Sequence, residues 1–432
     1  DLMKKILLLI ISLVLIPLVS GNWNMFMNDE EHTGFSDIDM KNINSIIWNV
    51  QLEGNIYSSP AIVENIIYVG TEKFLYALDL NGNVLWKKDM KIFGSSPTVI
   101  ANRIYIGTMD GYIYCLNTDG DIIWDVKTEK EITASPLYYK GRIYIGSWDS
   151  NFYCIDADTG KIQWKYKAEM PVKSSASAWK DRIYVTFQNK FYKDELHCIT
   201  SDGNLIWKYE TSKLPEGSCP PVMSDQFITS SPTIYKDKVY FGSGEKKVYC
   251  IDPQTGELIW EFKTEETGLM MKYRTGEDRI ISTLGAAYDM VYFGSWNNTV
   301  YALDANTGIE MWRCLTGDRI ISSPAIADGM IYTGCMDGHF YSLEAFEGNL
   351  IGDFRLGKVV GSPSISNGYV FVPAESKLYC LGEKIQEKKE LKTMPETKKQ
   401  KTEEKSSDNK TYYIIGAVAG IIVLVAIGVK KR

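Results

Sequence analysis

Histidines, thiols and converging carboxylates are where chemistry at neutral pH would begin. The chain has three histidines, His32, His197 and His339, scattered along 432 residues. That spread argues against a His-rich metal site or a nucleophile triad. Asp156–Gly160 reads DADTG, superficially a calcium loop. It lacks the later ligands and closing Glu of an EF-hand. It returns as DPQTG and DANTG without the second acid, so it reads as a turn. Of the eight cysteines, Cys115, Cys154, Cys198, Cys250 and Cys380 share one local position, which Ala77, Ala302 and Ser342 fill elsewhere. Equivalent sites in separate units lie too far apart for disulfides, so these read as small packing residues. Cys219, Cys314 and Cys335 lie off that position, and a disulfide among them stays open.

The elements around these residues repeat. SSPAIVENIIYVGTEKFLYALDLNGNVLW, Ser58–Trp86, returns from Ser95, Ala134, Ser174, Ser230, Ser282, Ser322 and Gly361. A period of roughly 40 residues indicates a propeller or solenoid. Alternating β-branched and aromatic residues predict four strands per unit, and Asn-Gly, Asp-Gly and Thr-Gly turns join the third to the fourth. The last unit stops after its third strand. SIIWNVQL, Ser45–Leu52, supplies a spare fourth strand with Trp48 in the repeat position. The expectation is an all-β, eight-bladed propeller of four-stranded blades, closed by this N-terminal clasp. Trp48, Trp86, Trp124, Trp164, Trp207, Trp260 and Trp312 read as packing between blades.

YCIDADTGKIQW, YCIDPQTGELIW and YALDANTGIEMW resemble the tryptophan-docking motif of PQQ-like repeats, and Asn22–Ser36 resembles the lead-in of such propellers. The resemblance covers residues 22 to 382 and implies a quinoprotein-like propeller. That family holds PQQ-dependent alcohol dehydrogenases and non-catalytic relatives such as BamB. The dehydrogenases carry a vicinal cysteine pair, Ca²⁺ ligands and often a C-x-x-C-H haem site. This sequence has neither Cys-Cys nor C-x-x-C-H, and neither subfamily's function transfers directly.

The ends suggest export and anchoring. Lys4 and Lys5 precede the apolar run Ile6–Val19, so residues 1–21 read as a signal peptide. Residues 22–44 form the lead-in and 45–382 the propeller. Residues 383–411 are a charged stalk too polar to bury a core. Residues 412–429 are uncharged and long enough to span a bilayer as a helix, which leaves 430–432 as a cytoplasmic tail. Gly416 and Gly420 form a GxxxG that suits a weak homodimer. The expected location is the cell membrane, single-pass, with the propeller extracytoplasmic. A net charge of −7 and the lack of a basic stretch in the body exclude nucleic acid.

Loops between the second and third strands share a face with the connections between blades. There Met109, Trp148, Trp296 and Met336 are candidate anchors for a partner. Lys173, Arg279, Arg319 and Lys358 sit at the inner-strand entries and could make the channel mouth favour an anion. Asn297-Asn298-Thr299 is a glycosylation sequon on that face. No catalytic, metal or cofactor-binding residue is assigned, and no cofactor is expected. The sequence points to a non-enzymatic, membrane-anchored scaffold that binds a protein or envelope component. A PQQ-dependent oxidoreductase and a surface glycan-binding module are the alternatives.

Overall fold

Short runs of alternating aromatic and β-branched residues, each ended by a turn, pair with their sequence neighbours into antiparallel sheets. The computed structural model describes residues 21–191, 193–211, 230–265 and 279–384. The leader up to residue 20, the stalk from 385, the 412–429 span with Gly416 and Gly420, Cys219, and most of the two long insertions lie outside the described residues. The described chain is all-β and forms eight sheets of four blade strands each. Blade 1 comprises Ala61–Val63, Ile66–Gly70, Phe74–Asp79 and Val84–Asp89. Blades 2 to 7 repeat this order from Thr98, Leu137, Ser177, Thr233, Gly285 and Ala325. Blade 8 combines Ser364–Ser366, Tyr369–Ala374 and Lys377–Gly382 with Ser45–Gln51 from the other end of the chain. Ser45–Gln51 lies antiparallel to Lys377–Gly382, with Trp48 opposite Cys380.

That register explains the cysteine position. In every blade but the seventh the small residue lies directly across the sheet from the repeat Trp. Ala77 faces Trp86, Cys154 faces Trp164 and Ala302 faces Trp312. A larger side chain there would collide with the indole. Burial pushes the thiols of Cys115, Cys154 and Cys198 up to about 11, so they stay protonated packing groups. Cys314 and Cys335 are free thiols as well.

Each indole then reaches the next blade. Trp86, Trp164 and Trp312 donate their Nε1–H to the carbonyls of Thr118, Ser201 and Ala345 at 2.8–2.9 Å. The ring lies on a turn glycine. A Cβ built on Gly256 would sit 2.6 Å from Trp207, and its φ is +77°. Trp48 of blade 8 joins blade 1 in the same way, through the Leu80 carbonyl at 2.8 Å. Blade 7 has Gly352 instead of Trp, opposite Ser342. The reason lies in the topology: blade 8 takes its outer strand from the chain start, so it has no turn between its third and fourth strands for an indole to rest on.

Candidate functional site: the two mouths of the axial channel

The Ser-Ser-Pro motif builds the channel wall. Its second hydroxyl, a serine or threonine, accepts the backbone N–H of the previous blade's equivalent residue. Ser59 N–H donates to Ser96 Oγ, Ser96 to Ser135, Ser135 to Ser175 and Ser175 to Ser231. The series continues through Thr283, Ser323 and Ser362 and returns to Ser59, a closed ring at 2.9–3.3 Å. The first serine bonds its own blade, as in Ser58 with both backbone groups of Gly70, and Ser230 also donates to the Ser282 carbonyl of the next blade at 3.1 Å.

One mouth is sealed by the chain itself. Inner strands point a row of backbone groups at the axis, and these need partners. The lead-in segment supplies them in one circuit. Trp23 exchanges two backbone hydrogen bonds with Ile62, and the carbonyls of Asn24, Glu30, Glu31, Thr33 and Gly34 accept from Val99, Ala178, Ile234, Ala286 and Ile326. Phe35–Ser36 then runs parallel to blade 7's inner strand. Met25 packs in a cluster with Leu137 of blade 3, and Ser366 of blade 8 donates to the Gly21 carbonyl. All eight blades are touched. Asp29 shapes the turn by accepting the N–H groups of Glu31 and Thr33 at 3.1 and 3.0 Å. Burial raises its carboxyl to about 6 and that of Glu31 to about 7, the latter helped by Asp29. Burial drops His32 to about 4, so it is neutral, with Nδ1 3.2 Å from the Pro232 carbonyl oxygen.

The opposite mouth is built of side chains, and it brings the two candidate sets together. Lys173 lies over the Trp148 ring at 4.4 Å and Arg319 over the Trp296 ring at 4.8 Å. The cations expected to make this mouth favour an anion are thus partly engaged with the candidate anchors. Two of its four cations rest on indoles, and Arg319 also pairs with Asp318 at 3.7 Å. Arg279 contributes its carbonyl to Trp296 N–H and Lys358 its carbonyl to Glu375 N–H. The anchors also differ from loop tips. Met109, Trp148 and Met336 are half-buried, and Trp296 is buried at 6 % exposure. Each is held by a backbone bond to the connection between blades, as from Met109 N–H to Lys91 and Met336 N–H to Arg319. Trp148 is oriented by its Nε1–H bond to Thr133 Oγ1 at 2.9 Å. Met109 and Trp148 line a shallow pocket of about 440 Å³ with Asp110, Glu129, Lys130 and Glu131. The sequon asparagine is turned inward. Asn297 is buried, and its Nδ2 donates to the Glu265 carbonyl and Tyr301 Oη at 3.0 and 2.7 Å. A glycan there would require that amide to leave both partners.

Sequence reasoning passed over one polar cluster. Third strands carry Tyr in seven blades, at Tyr76, Tyr114, Tyr153, Tyr249, Tyr301, Tyr341 and Tyr379; blade 4 has His197 there. Its Nε2 lies 2.9 Å from Glu195 and its Nδ1 2.9 Å from Tyr166 Oη of blade 3. Asn189 and Lys208 complete the carboxylate's shell at 3.1 Å. The His197 bond leads in holding Glu195 down to about 2. Both side chains are under 10 % exposed, so the arrangement links two blades and offers a reactant no access. The break in the Tyr series was the signal for it.

A family model described as outer membrane protein assembly factor BamB matches residues 71–263 and 244–351. The chain belongs to this family of PQQ-like repeat propellers. The structure resembles BamB from Moraxella catarrhalis at TM-score 0.62 and 15 % identity, over 78 % of this chain and 99 % of that one. It also resembles the quinohemoprotein alcohol dehydrogenase of Comamonas testosteroni at TM-score 0.69 and 13 % identity, over 84 % and 80 %. In sequence it is 24 % identical to the dehydrogenase subunit of a quinone alcohol dehydrogenase from Gluconacetobacter polyoxogenes, over 67 % of this chain and 45 % of that protein. The chain thus spans less than half the length of that relative. Such distant structural likeness speaks for the fold alone. A metal-bound quinone would need carboxylate or amide oxygens converging at the open mouth. The described entry residues there are Tyr57, Gly94, Thr133, Lys173, Ile281, Ile321 and Val360, and the Tyr57 ring packs at a tilt against Phe93, centroids 4.4 Å apart. That donor set does not fit.

Proposed function

We propose that the chain is a non-enzymatic scaffold of the cell envelope, whose open mouth receives a protein partner on Met109, Trp148 and Met336. The observation that carries this reading is the asymmetry of the channel. One mouth is closed by the chain's own backbone, and the other ends in half-buried apolar loop residues, of which Met109 and Trp148 line a shallow pocket. Likeness to BamB supports a protein-interaction role at that coarse level. Export through residues 1–21, anchoring by residues 412–429 and an outward-facing propeller belong to the same proposal. So does a mechanical role for Ser45–Gln51 as the clasp that keeps the ring shut.

A photo-reactive residue placed at Met109 or Met336 in living cells should capture the same discrete protein. One placed at Lys165, on an outer strand, should not. No discrete adduct from either mouth position would sink the reading. Protease added to intact cells should release the propeller by cutting within 383–411; full protection would refute the outward placement. Purified chain given PQQ and Ca²⁺ should reduce no dye with alcohols, and robust reduction would favour the oxidoreductase.

A further inference from the structure

A repeat protein supplies internal controls, because each turn residue can be compared with its counterparts in the other blades. On the plugged face, Lys140 pairs with Asp181, Lys180 with Asp237 and Lys236 with Asp289. These ion pairs tie the turns between the first and second strands of blades 3 to 6, one junction after another. At the junction of blades 6 and 7 the lysine is replaced by Tyr288. Its Oη accepts the Gly329 N–H at 2.9 Å. Its ring lies between Phe35 of the plug, 5.6 Å away, and Phe346 of blade 7, 5.2 Å away. Tyr288 holds φ at +54°, a left-handed conformation that a bulky aromatic residue adopts only at a cost.

Two more turn residues depart from the repeat, one in blade 7 and one in blade 6. Phe346 stands where the other turns have Asn81, Asp119, Asp158, Asp202, Gln254 and Asn306. Ile309, in the corresponding turn of blade 6, stands where they have Asn83, Asp121, Lys161, Asn204, Glu257 and Asn349. Phe346 is 56 % and Ile309 64 % exposed. The fold does not require apolar residues at these positions, because the other blades fold without them. Acids surround the patch. Glu344 and Glu347 share the turn with Phe346, and Asp328 precedes Gly329. Glu344 and Glu347 accept the Asn349 amide at 2.7 and 3.0 Å and Asp328 accepts the Met40 N–H at 3.1 Å, all neutral donors that leave the negative charges uncompensated.

We propose that this junction, centred on Tyr288 and Phe346, docks a protein segment that presents an apolar anchor flanked by lysine or arginine. Exposed aromatic surface that the fold does not need marks a contact site. The three acids favour a basic flank and repel an anionic bilayer. The surface lies on the plugged face, opposite the mouth assigned to the first partner, so the propeller would hold two partners at once.

The test is selection of a random-peptide display library against the full-length chain and against a variant carrying Tyr288→Lys, Ile309→Asn and Phe346→Asn. The variant installs residues that other blades accept at these turns, so it should fold, and an unchanged melting temperature checks this. Peptides enriched on the wild type should carry an aromatic residue or leucine between basic residues. They should bind the variant at least tenfold more weakly. Glu344→Gln with Glu347→Gln should flatten the salt dependence of their binding. Equal binding to both proteins, or enrichment of acidic peptides, would overturn the proposal. A wild-type dimer lost in the variant would overturn it in favour of a second copy. Binding to phosphatidylcholine vesicles lost in the variant would overturn it in favour of a lipid surface.

Discussion

The two mouths of the channel are closed in different currencies. At the plugged mouth the carbonyls of Trp23, Asn24, Glu30, Glu31, Thr33 and Gly34 meet inner strands. At the open mouth, side chains do the covering, with Lys173 on Trp148 and Arg319 on Trp296. Backbone bonds are indifferent to most substitutions, so the plug should tolerate changes of residue but not loss of chain. Side-chain packing is open to change by single substitutions, which suits a surface that must match a partner. The same fold thus keeps one mouth structural and leaves the other free to specialise.

Removing the plug should show the difference most strongly. A chain starting after Leu52 loses both the lead-in circuit and the outer strand of blade 8. At about 1 kcal/mol per backbone hydrogen bond, the loss comes to several kcal/mol. It should melt far below a chain starting at Gly21, and equal melting temperatures would refute both the seal and the clasp. Next is Trp296→Ala at the open mouth. The indole is buried, so the cavity should cost about 3–5 kcal/mol in denaturant unfolding.

The plug's acids give a pH signature. Asp29 and Glu31 are raised to about 6 and about 7 by burial. They bind protons more tightly folded than unfolded, so folding takes up protons between the ordinary carboxyl range near pH 4 and about pH 7. Stability should fall as pH rises through that window, and Asp29→Asn should flatten the slope between pH 4 and pH 7. A slope unchanged in that variant would remove Asp29 from the account. The smallest effects sharpen the contrast. Lys173→Ala should cost under about 1 kcal/mol, the worth of an exposed cation–π contact. Asn24→Ala, which keeps the carbonyl bonded to Val99, should stay within about 0.5 kcal/mol.

Much of this was legible in the sequence, and the exceptions are instructive. Strand alternation and turn glycines marked the blades, and the spacing of Trp86, Trp124 and Trp164 marked the docking residues. The sealing role of Trp23–Ser36, legible only as a lead-in, escaped because the segment bonds through backbone carbonyls, which leave no residue pattern. Asn297 read as a surface sequon because its three-residue motif carries no record of Glu265 or Tyr301 closing over it. Tyr288, Ile309 and Phe346 were visible as breaks in the repeat, had every turn position been aligned across the blades.

The sequence by itself determined the repeat, the strand order within each blade and the third-strand position kept for a small residue. These follow from local rules: side chains alternate along a strand, and a positive φ favours glycine. Only the tertiary structure decided that the lead-in seals the channel, that Lys173 and Arg319 lie on the indoles of neighbouring blades, and that Tyr288 joins Phe35 to Phe346 across a blade junction. Each of these depends on closing a ring through residues far apart in the chain, and a local pattern shows which way a side chain points without showing what it will meet.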